Sequence, residues 1–579
     1  MCGIFGYAGY REAAPILIEG LKKLEYRGYD SFGIATLGTR IEVHKKRGKI
    51  SEDQTEWPRM PGTIGISHTR WATHGVPNDL NAHPHLDCTG RIAVVHNGVI
   101  ENYFELKKDL EQHGHIFSSD TDTEVIAHLI ESHYRGTLQD AVVEAIRRLE
   151  GSYALLVLAE NDPRIIAARN KSPLVLGIGD KEMFAASDVT PLLDYTERII
   201  VLEDGDLATI SPEGIKVRSG GTDVERPVER VTWHADETRK GGFEHFMLKE
   251  IYEQPGVFFE TYRAAKDEEI VKMIRDSSRV TAIACGSSYH ASLLMKYLIE
   301  EYGKQAVRVE FASEFKYYTP PVSGVVIAIS QSGETADTLA ALRKAKLFNC
   351  PTVAITNVQG SSLARIADKT LFMRAGPEMS VAATKSFIAQ VAVFLQLTNM
   401  LSDGGLNLPL LHAHRAIEEA LLIDLFEAVA ICRNAEHIFY IGRGPFYPVS
   451  MEGSLKMKEI SYIHAEAYPA GELKHGPFAL LTEKTPVVAI CPGGLTRAVM
   501  ISNIKEVKAR GAPVIALGES EDTELQDVVD VFIPLPATAP VLQILTSTIV
   551  LQLLAYFTAK EIGCEIDKPR NLAKSVTVE

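Results

Sequence analysis

The chain is short of cysteine. Seven thiols stand in 579 residues (Cys2, Cys88, Cys285, Cys350, Cys432, Cys491 and Cys564), and no two are spaced Cys-x-x-Cys. Their scatter and odd number argue against a disulfide framework or a zinc site and fit a reducing compartment. Basic charge is also short. Sixty Lys and Arg against 75 Asp and Glu leave a formal net charge of −15. No basic run and no basic-aromatic interleaving is present, so nucleic acid is not expected as a partner. The N-terminus has no basic stretch leading into an apolar run, so no signal peptide is read and a cytoplasmic location is expected. Long apolar runs are scarce. Residues 541–559 are uncharged and nearly long enough to cross a bilayer, but they include Gln543, Thr546, Ser547, Thr548 and Gln552. Residues 386–401 form a similar, shorter run. Two such runs read as buried core helices of two related domains, with no membrane partner.

A chain of this length exceeds what one core supports, so several domains are expected. Up to about residue 238, short strands and loops alternate with a few helices. Residues 15–26 carry Ile16, Leu17, Leu21 and Leu24 at helical spacing, with Gly28 as a stop signal. Residues 91–95 predict a strand entering His96-Asn97-Gly98, and 123–133 a helix. Residues 152–159 and 164–169 predict strands of a second sheet layer, giving a layered α+β domain. Residues 225–248 are charged and unpatterned, with Pro227 inside, and read as linker.

Beyond this stretch the sequence repeats itself. A strand at 281–285 ends in Gly286-Ser287-Ser288, and one at 438–441 ends in Gly442-Arg443-Gly444. The next two strands begin at Val325 and Thr352 in the first copy and at Val487 and Val514 in the second, 27 positions apart in each. Apolar strands alternating with helices predict a parallel sheet covered on both faces, twice over. In such folds ligands sit at the carboxyl ends of the strands.

Several groups of residues carry chemistry. With Met1 removed, Cys2 holds a thiol and a free α-amine, a nucleophile beside its own base. Otherwise Cys2 is a small apolar residue opening a strand. Ser330-Gln331-Ser332-Gly333-Glu334-Thr335 closes a strand and opens a helix. It either cradles a phosphate, with Ser288 alongside, or simply caps the helix through Ser332. Glu452, Lys456 and Glu459 share one face of a helix expected over 450–463. They form either a proton-transfer group or an ordinary ion-pair face. In the tail, Lys574 is either solvated or, if buried, an imine-forming amine. Arg70 in the run from His68 to Gly75 suits a substrate carboxylate, and Asp122 an ammonium. Asn97 and Gly98 offer two donors to an oxyanion. His68, His74, His83, His85 and His96 have no thiol or carboxylate at ligand spacing, so no metal and no cofactor is expected.

These motifs together carry a resemblance. Met1-Cys2-Gly3-Ile4-Phe5-Gly6, Arg27-Gly28-Tyr29-Asp30-Ser31, the run His68–Gly75, His96-Asn97-Gly98 and Asp120-Thr121-Asp122-Thr123-Glu124 resemble the glutamine amidotransferases with an N-terminal cysteine nucleophile. Ser330–Thr335 and the tandem repeat resemble sugar isomerase (SIS) domains. Gly471-Glu472-Leu473-Lys474-His475 and the tail Asn571–Glu579 are similar to members that join the two. The resemblance implies a layered αββα amidotransferase domain over 2–238 and a linker over 239–248. Tandem αβα sugar isomerase domains over 249–404 and 425–563 follow, with a tail over 564–579 closing the sugar site.

The function it implies is transfer of ammonia from glutamine to fructose 6-phosphate, with isomerisation to glucosamine 6-phosphate. Cys2 would be the nucleophile, with Asn97 and Gly98 as oxyanion donors. Arg70, Thr73, His74 and Asp122 would bind glutamine, and Trp71 would gate an ammonia channel. Ser288, Ser330, Gln331, Ser332, Thr335, Val381 and Ala573 would hold the sugar phosphate. Lys574 would form the imine, Glu459 would move the proton with Lys456 nearby, and His475 would assist ring opening from the neighbouring subunit of a homodimer. Three departures stand out: residues 51–59 look trimmed, Ser287 replaces a common threonine, and Ala383 a common serine. Two other readings remain, an isomerase or deglycase without glutaminase coupling, and a sugar-phosphate-binding regulator. Cys2, Arg70 and Asp122 argue against the first; Lys574, Glu459 and His475 argue against the second.

Overall fold

The structure is a computed structural model that describes residues 2–53, 57–231, 239–317 and 323–577. Part of the 51–59 loop, read as trimmed, and part of the stretch read as linker lie outside the described residues. The chain falls into two compact units, one of residues 1–238 with 573–579, the other of residues 239–572.

The first unit stacks two sheets. One has eight strands, in the spatial order Val228–Arg230, Arg198–Val201, Val175–Ile178, Met183–Ala186, Gly3–Ala8, Ile64–Arg70, Ser31–Leu37 and Ile41–Arg47. The other has seven, with Gly151–Ala159 between Asp162–Asn170 and Ile92–Ile100. Side chains alternate across each strand, so one strand feeds two cores. Ile4 and Ala8 face the layer between the sheets with Val95, Leu156 and Ile165, whereas Phe5 and Tyr7 face the opposite layer. There the helix Ala13–Leu24 lays Ile16, Leu17, Leu21 and Leu24 against them. On the far side Val94, Leu155 and Val157 meet the helices Glu124–His133 and Leu138–Ile146. The result is the expected αββα layering. One boundary differs from the sequence reading. The strand expected to end before His96-Asn97-Gly98 runs through it to Ile100, because the whole segment pairs antiparallel with 151–159. Of the stretch read as linker, Val228–Arg230 pairs with Arg198–Ile200 as an edge strand.

The second unit holds two parallel five-stranded sheets of identical strand order. The first runs Val307–Phe311, Val280–Ala284, Val325–Ile329, Thr352–Thr356, Lys369–Phe372. The second runs His464–Pro469, His437–Gly442, Val487–Ile490, Val514–Glu519, Val531–Leu535. Val326 pairs with Thr352, and Val487 with Val514, so the repeated strands are neighbours in each sheet, in registers that differ by one residue. The two apolar runs are the helices Lys385–Leu401 and Pro540–Glu561. Both contribute to one core shared by the two sheets, and the most apolar window of the second helix is 94% buried in protein, which makes it a core helix. The helix expected from 450 starts a turn earlier, at Phe446 after Pro445, and stops at Ser461 before Tyr462, whose φ is +62°.

Candidate functional site

In the first unit the strand Gly3–Ala8 pairs with Ile64–Arg70, bringing the start of the chain beside residues 69–71. The Cys2 Sγ accepts a hydrogen bond from the Trp71 amide at 3.3 Å. Burial pushes the thiol up; the Trp71 amide and the Arg70 guanidinium act in the opposite sense. The Cys2 carbonyl accepts from Asn97 Nδ2 at 2.9 Å and from Arg27 Nε at 3.3 Å. Arg27 is itself held by Asp188 at 3.0 Å. Asn97 cannot turn over freely. Its Oδ1 accepts from His68 Nε2 at 3.1 Å, which aims its NH2 group at Cys2.

Gly98 has φ +137°, and a Cβ there would lie 2.0 Å from the Ser152 carbonyl. Only glycine fits this turn of the strand beside Asn97. Arg70 is 3% exposed, and its guanidinium donates to the carbonyls of His74 and Gly75 through Nη2. Its buried Nη1 has no hydrogen-bond partner. An unmatched guanidinium edge in a buried pocket is the chemistry that a carboxylate satisfies. Asp122 is buried and accepts from the Ile100 amide at 2.8 Å. The His74 ring stands edge-on to Tyr103, and Thr73 is exposed in the same loop. Asp30 fixes that loop by accepting from the Ala72 amide at 2.8 Å. Arg27, Asp30 and His68 lie inside the N-terminal motifs, but their roles depend on contacts across the fold that no local spacing marks.

Four histidines behind Asn97 are buried. His68 stacks on His83 at 4.0 Å, and His83 meets His85 edge-on at 4.7 Å. Burial pushes His68 down to about 3 and lowers His83, His85 and His96 in the same direction. The unfolded chain would take up protons near pH 6.5 that the folded chain refuses. Their contribution to stability is therefore complete above about pH 6.5 and is lost as pH falls below it. We expect the denaturant midpoint of the first unit, followed by tryptophan fluorescence, to fall between about pH 7.5 and 5. A midpoint that stays constant over that range would contradict these burial assignments.

In the second unit, strand ends and helix starts gather the hydroxyl-rich loop. The Gly333 amide donates to Ser330 Oγ at 3.1 Å, Ser330 Oγ meets Thr335 Oγ1 at 2.9 Å, and the Glu334 amide donates to Ser332 Oγ at 3.2 Å. Gly333 has φ +65°, and a Cβ there would strike Ser361 at 2.3 Å. Gln331 holds the loop through its carbonyl, which accepts from the Asn357 amide at 3.0 Å. The helix Ala336–Leu347 begins immediately after this loop. Ser288 opens the helix Gly286–Leu298, and its Oγ accepts from Gln390 Nε2 at 2.9 Å.

The ion-pair face of the helix Phe446–Ser461 is buried, which decides against a solvated face. Lys456 is fully buried, 3.3 Å from Glu452 and 2.6 Å from Glu459. Ser287 Oγ donates to Glu452 at 2.9 Å, and His290 Nδ1 donates to its other oxygen at 2.8 Å. Burial alone would lower the Lys456 ammonium; Glu452 and Glu459 overcome it and raise it above the ordinary lysine value. His290, three residues past Ser287 on one helix face, went unremarked in the sequence. The Val381 amide donates to the Asp567 carbonyl at 2.9 Å. The Asp567 carboxylate in turn accepts from the amides of Phe246 and Met247 at 2.9 and 3.0 Å. His475 is exposed. Ala573 and Lys574 group with the first unit, while the serine loop and the lysine–glutamate cluster lie in the second.

A model of the SIS domain matches residues 273–400 and 431–559, and one of a glutamine amidotransferase domain matches residues 68–194. A Pyrococcus horikoshii protein named glutamine–fructose-6-phosphate aminotransferase (isomerizing) is 48% identical over 600 aligned positions, which cover all of both chains. A Methanosarcina acetivorans protein of the same name is 46% identical, again over the whole of both. Among solved structures, the C-terminal domain of glucosamine-fructose-6-phosphate aminotransferase from Francisella tularensis is 36% identical. It covers 57% of this chain and 100% of its own, with a TM-score of 0.53.

Proposed function

The chain belongs to the glutamine–fructose-6-phosphate aminotransferase (isomerizing) family, and on that premise we propose how its residues divide the work. The reaction converts fructose 6-phosphate to glucosamine 6-phosphate with nitrogen from glutamine, releases glutamate, and belongs to hexosamine biosynthesis.

The observation that carries the assignment in the first unit is the clasp around Cys2: an amide on its Sγ, and an Asn97 side chain locked towards it. Once Met1 is removed, the Cys2 amine takes the thiol proton, directly or through water, and the thiolate attacks the glutamine amide carbon. The oxyanion accepts from Asn97 Nδ2 and the Gly98 N–H. The proton then passes to the departing nitrogen, ammonia leaves, and water cleaves the thioester. Arg70 Nη1 takes the glutamine carboxylate, Asp122 its ammonium, and Thr73 and His74 close the loop over it. Free ammonia is mostly protonated in neutral water, so a dry passage gated by Trp71 would keep it reactive.

In the sugar half, Ser330, Gln331, Ser332, Thr335 and Ser288 take the phosphate, with backbone contacts from Val381 and Ala573. Lys574 forms an imine at C2 of the open-chain ketose, and ammonia displaces the lysine. Glu459 removes a proton from C1 and returns one to C2, leaving an aldehyde at C1 and the amine at C2. Lys456 holds Glu459 in position. The exposure of His475 suits a role in ring opening across a homodimer, at the other subunit's sugar site. The compartment that fits this soluble chemistry is the cytoplasm.

Asn97→Ala tests the clasp. It removes one oxyanion donor, so glutaminase kcat should fall by about 100- to 1000-fold. Exchange of the C1 hydrogen of fructose 6-phosphate with deuterated water, catalysed by the sugar half, should be unchanged. Glutamate release at the unaltered rate would overturn the Asn97 role.

A further inference from the structure

The spacing that argues against a metal concerns His68, His74, His83, His85 and His96. A different set converges in the fold. Cys88 sits in the turn after the strand His85–Leu86, His115 follows the helix Tyr103–Gln112, and His128 and Glu131 lie three apart on Glu124–His133. Cys88 Sγ is 3.6 Å from His115 Nδ1 and 3.4 Å from His128 Nδ1. Glu131 Oε2 is 3.0 Å from His115 Nδ1 and 3.4 Å from His128 Nδ1. All four atoms lie within 4.8 Å of one another.

Four of the six separations, 3.0 to 3.6 Å, are close to those between ligands of one metal ion, and the remaining two lie within 4.8 Å. Around Zn²⁺, with Zn–S about 2.3 Å and Zn–N or Zn–O about 2.0 to 2.1 Å, adjacent ligand atoms stand about 3.3 to 3.6 Å apart. The same nitrogen, Nδ1, faces inwards from both histidines. The surroundings of His128 suit this role. His128 is 99% buried, and its Nε2 has no hydrogen-bond partner, standing 3.6 Å from Glu124 Oε1. Glu124 is already fixed by the amides and hydroxyls of Ser118 and Ser119 at 2.7 to 2.8 Å. A proton on Nε2 facing that carboxylate leaves the Nδ1 lone pair turned to the cluster, as in the carboxylate–histidine–zinc arrangement. Sulfur, carboxylate oxygen and imidazole lone pair then converge, a donor set that suits a Zn²⁺ ion. The turn is also braced: Asp87 Oδ1 accepts from the Arg91 and Ile92 amides at 2.7 and 2.8 Å, and the Cys88 amide donates to Glu131 at 3.2 Å.

We propose that Cys88, His115, His128 and Glu131 bind one Zn²⁺ ion in a four-ligand structural site. It ties the 87–90 turn and the segment after residue 112 to the helix that follows Asp122. Four protein ligands leave no open position, so the ion holds structure and takes no part in the transfer reaction. Binding displaces the Cys88 thiol proton to solvent and leaves a thiolate on the metal.

The test uses the full chain, untagged and purified without chelator. Elemental analysis should find about one zinc per chain. Replacement by Co²⁺ should give the d–d bands of a tetrahedral ion with a thiolate-to-cobalt charge-transfer band. Cys88→Ser should abolish the charge-transfer band, and Cys88→Ser or His115→Ala should weaken Zn²⁺ binding by at least about 100-fold. Cys88 is exposed and His115 half-buried, so both variants should fold; circular dichroism checks this. The cobalt spectrum of the unaltered chain gives an independent reading. Absence of stoichiometric zinc or cobalt, a cobalt spectrum without the thiolate band, or unchanged affinity in both variants would overturn the proposal.

Discussion

Cys2→Ala should lower glutamine-dependent formation of glucosamine 6-phosphate by roughly four to six orders of magnitude, the usual cost of deleting a covalent nucleophile. Its effect should stop at the amide half. The Cys2 side chain is held by the Trp71 backbone, while its carbonyl, which Asn97 and Arg27 bond, survives the substitution. The local fold should persist, and glutamine should still bind through Arg70 and Asp122. The measurement is paired: glutamate release by mass spectrometry, and deuterium entry at C1 of fructose 6-phosphate in heavy water. Loss of the first with retention of the second is the expected result. Retention of both would remove Cys2 from the mechanism, and loss of both would mean that the substitution disturbs more than the nucleophile.

Lys456→Met should destabilise the second unit by about 3 to 5 kcal/mol, the cost of stripping one partner from a buried ion pair. Lys456 is fully buried between two carboxylates, and Glu452 is only 1% exposed. With the ammonium gone, Glu452 keeps His290 and Ser287 but loses its compensating charge. Glu459 loses the contact that orients it, so C1 exchange should fall as well. Adding Glu452→Gln removes the stranded charge and should restore part of the stability, because deleting both partners costs less than deleting one. Denaturant unfolding of the full chain measures this. Equal midpoints for the single variant and the parent would show that the cluster is a solvated face after all.

Much of this was legible in the residues. The helical spacing read over 15–26 marks the helix that covers Phe5 and Tyr7, and the 27-residue spacing of strand starts in each copy of the repeat marks strands that are neighbours in each sheet, within one residue of the observed register. What the sequence hid were long-range encounters. His68 orients Asn97 from 29 positions away, and His290 reaches Glu452 across 162. No periodicity encodes such pairs; they exist only once strands 64–70 and 92–100, or the helices 286–298 and 446–461, are packed. The same holds for Cys88 and His128, 40 positions apart and outside any short ligand spacing. The alternative roles left open for Glu452, Lys456 and Glu459 could not be separated without burial, because a solvated and a buried face share one spacing.

The most direct test of the coupling between the two halves is to supply amide-¹⁵N glutamine and fructose 6-phosphate to the Met1-processed chain, with excess unlabelled ammonium present. The account predicts ¹⁵N glucosamine 6-phosphate, its label undiluted by the ammonium in solution. Labelled glutamine consumed to glutamate with no amino sugar formed, or an amino sugar carrying the unlabelled nitrogen, would contradict it.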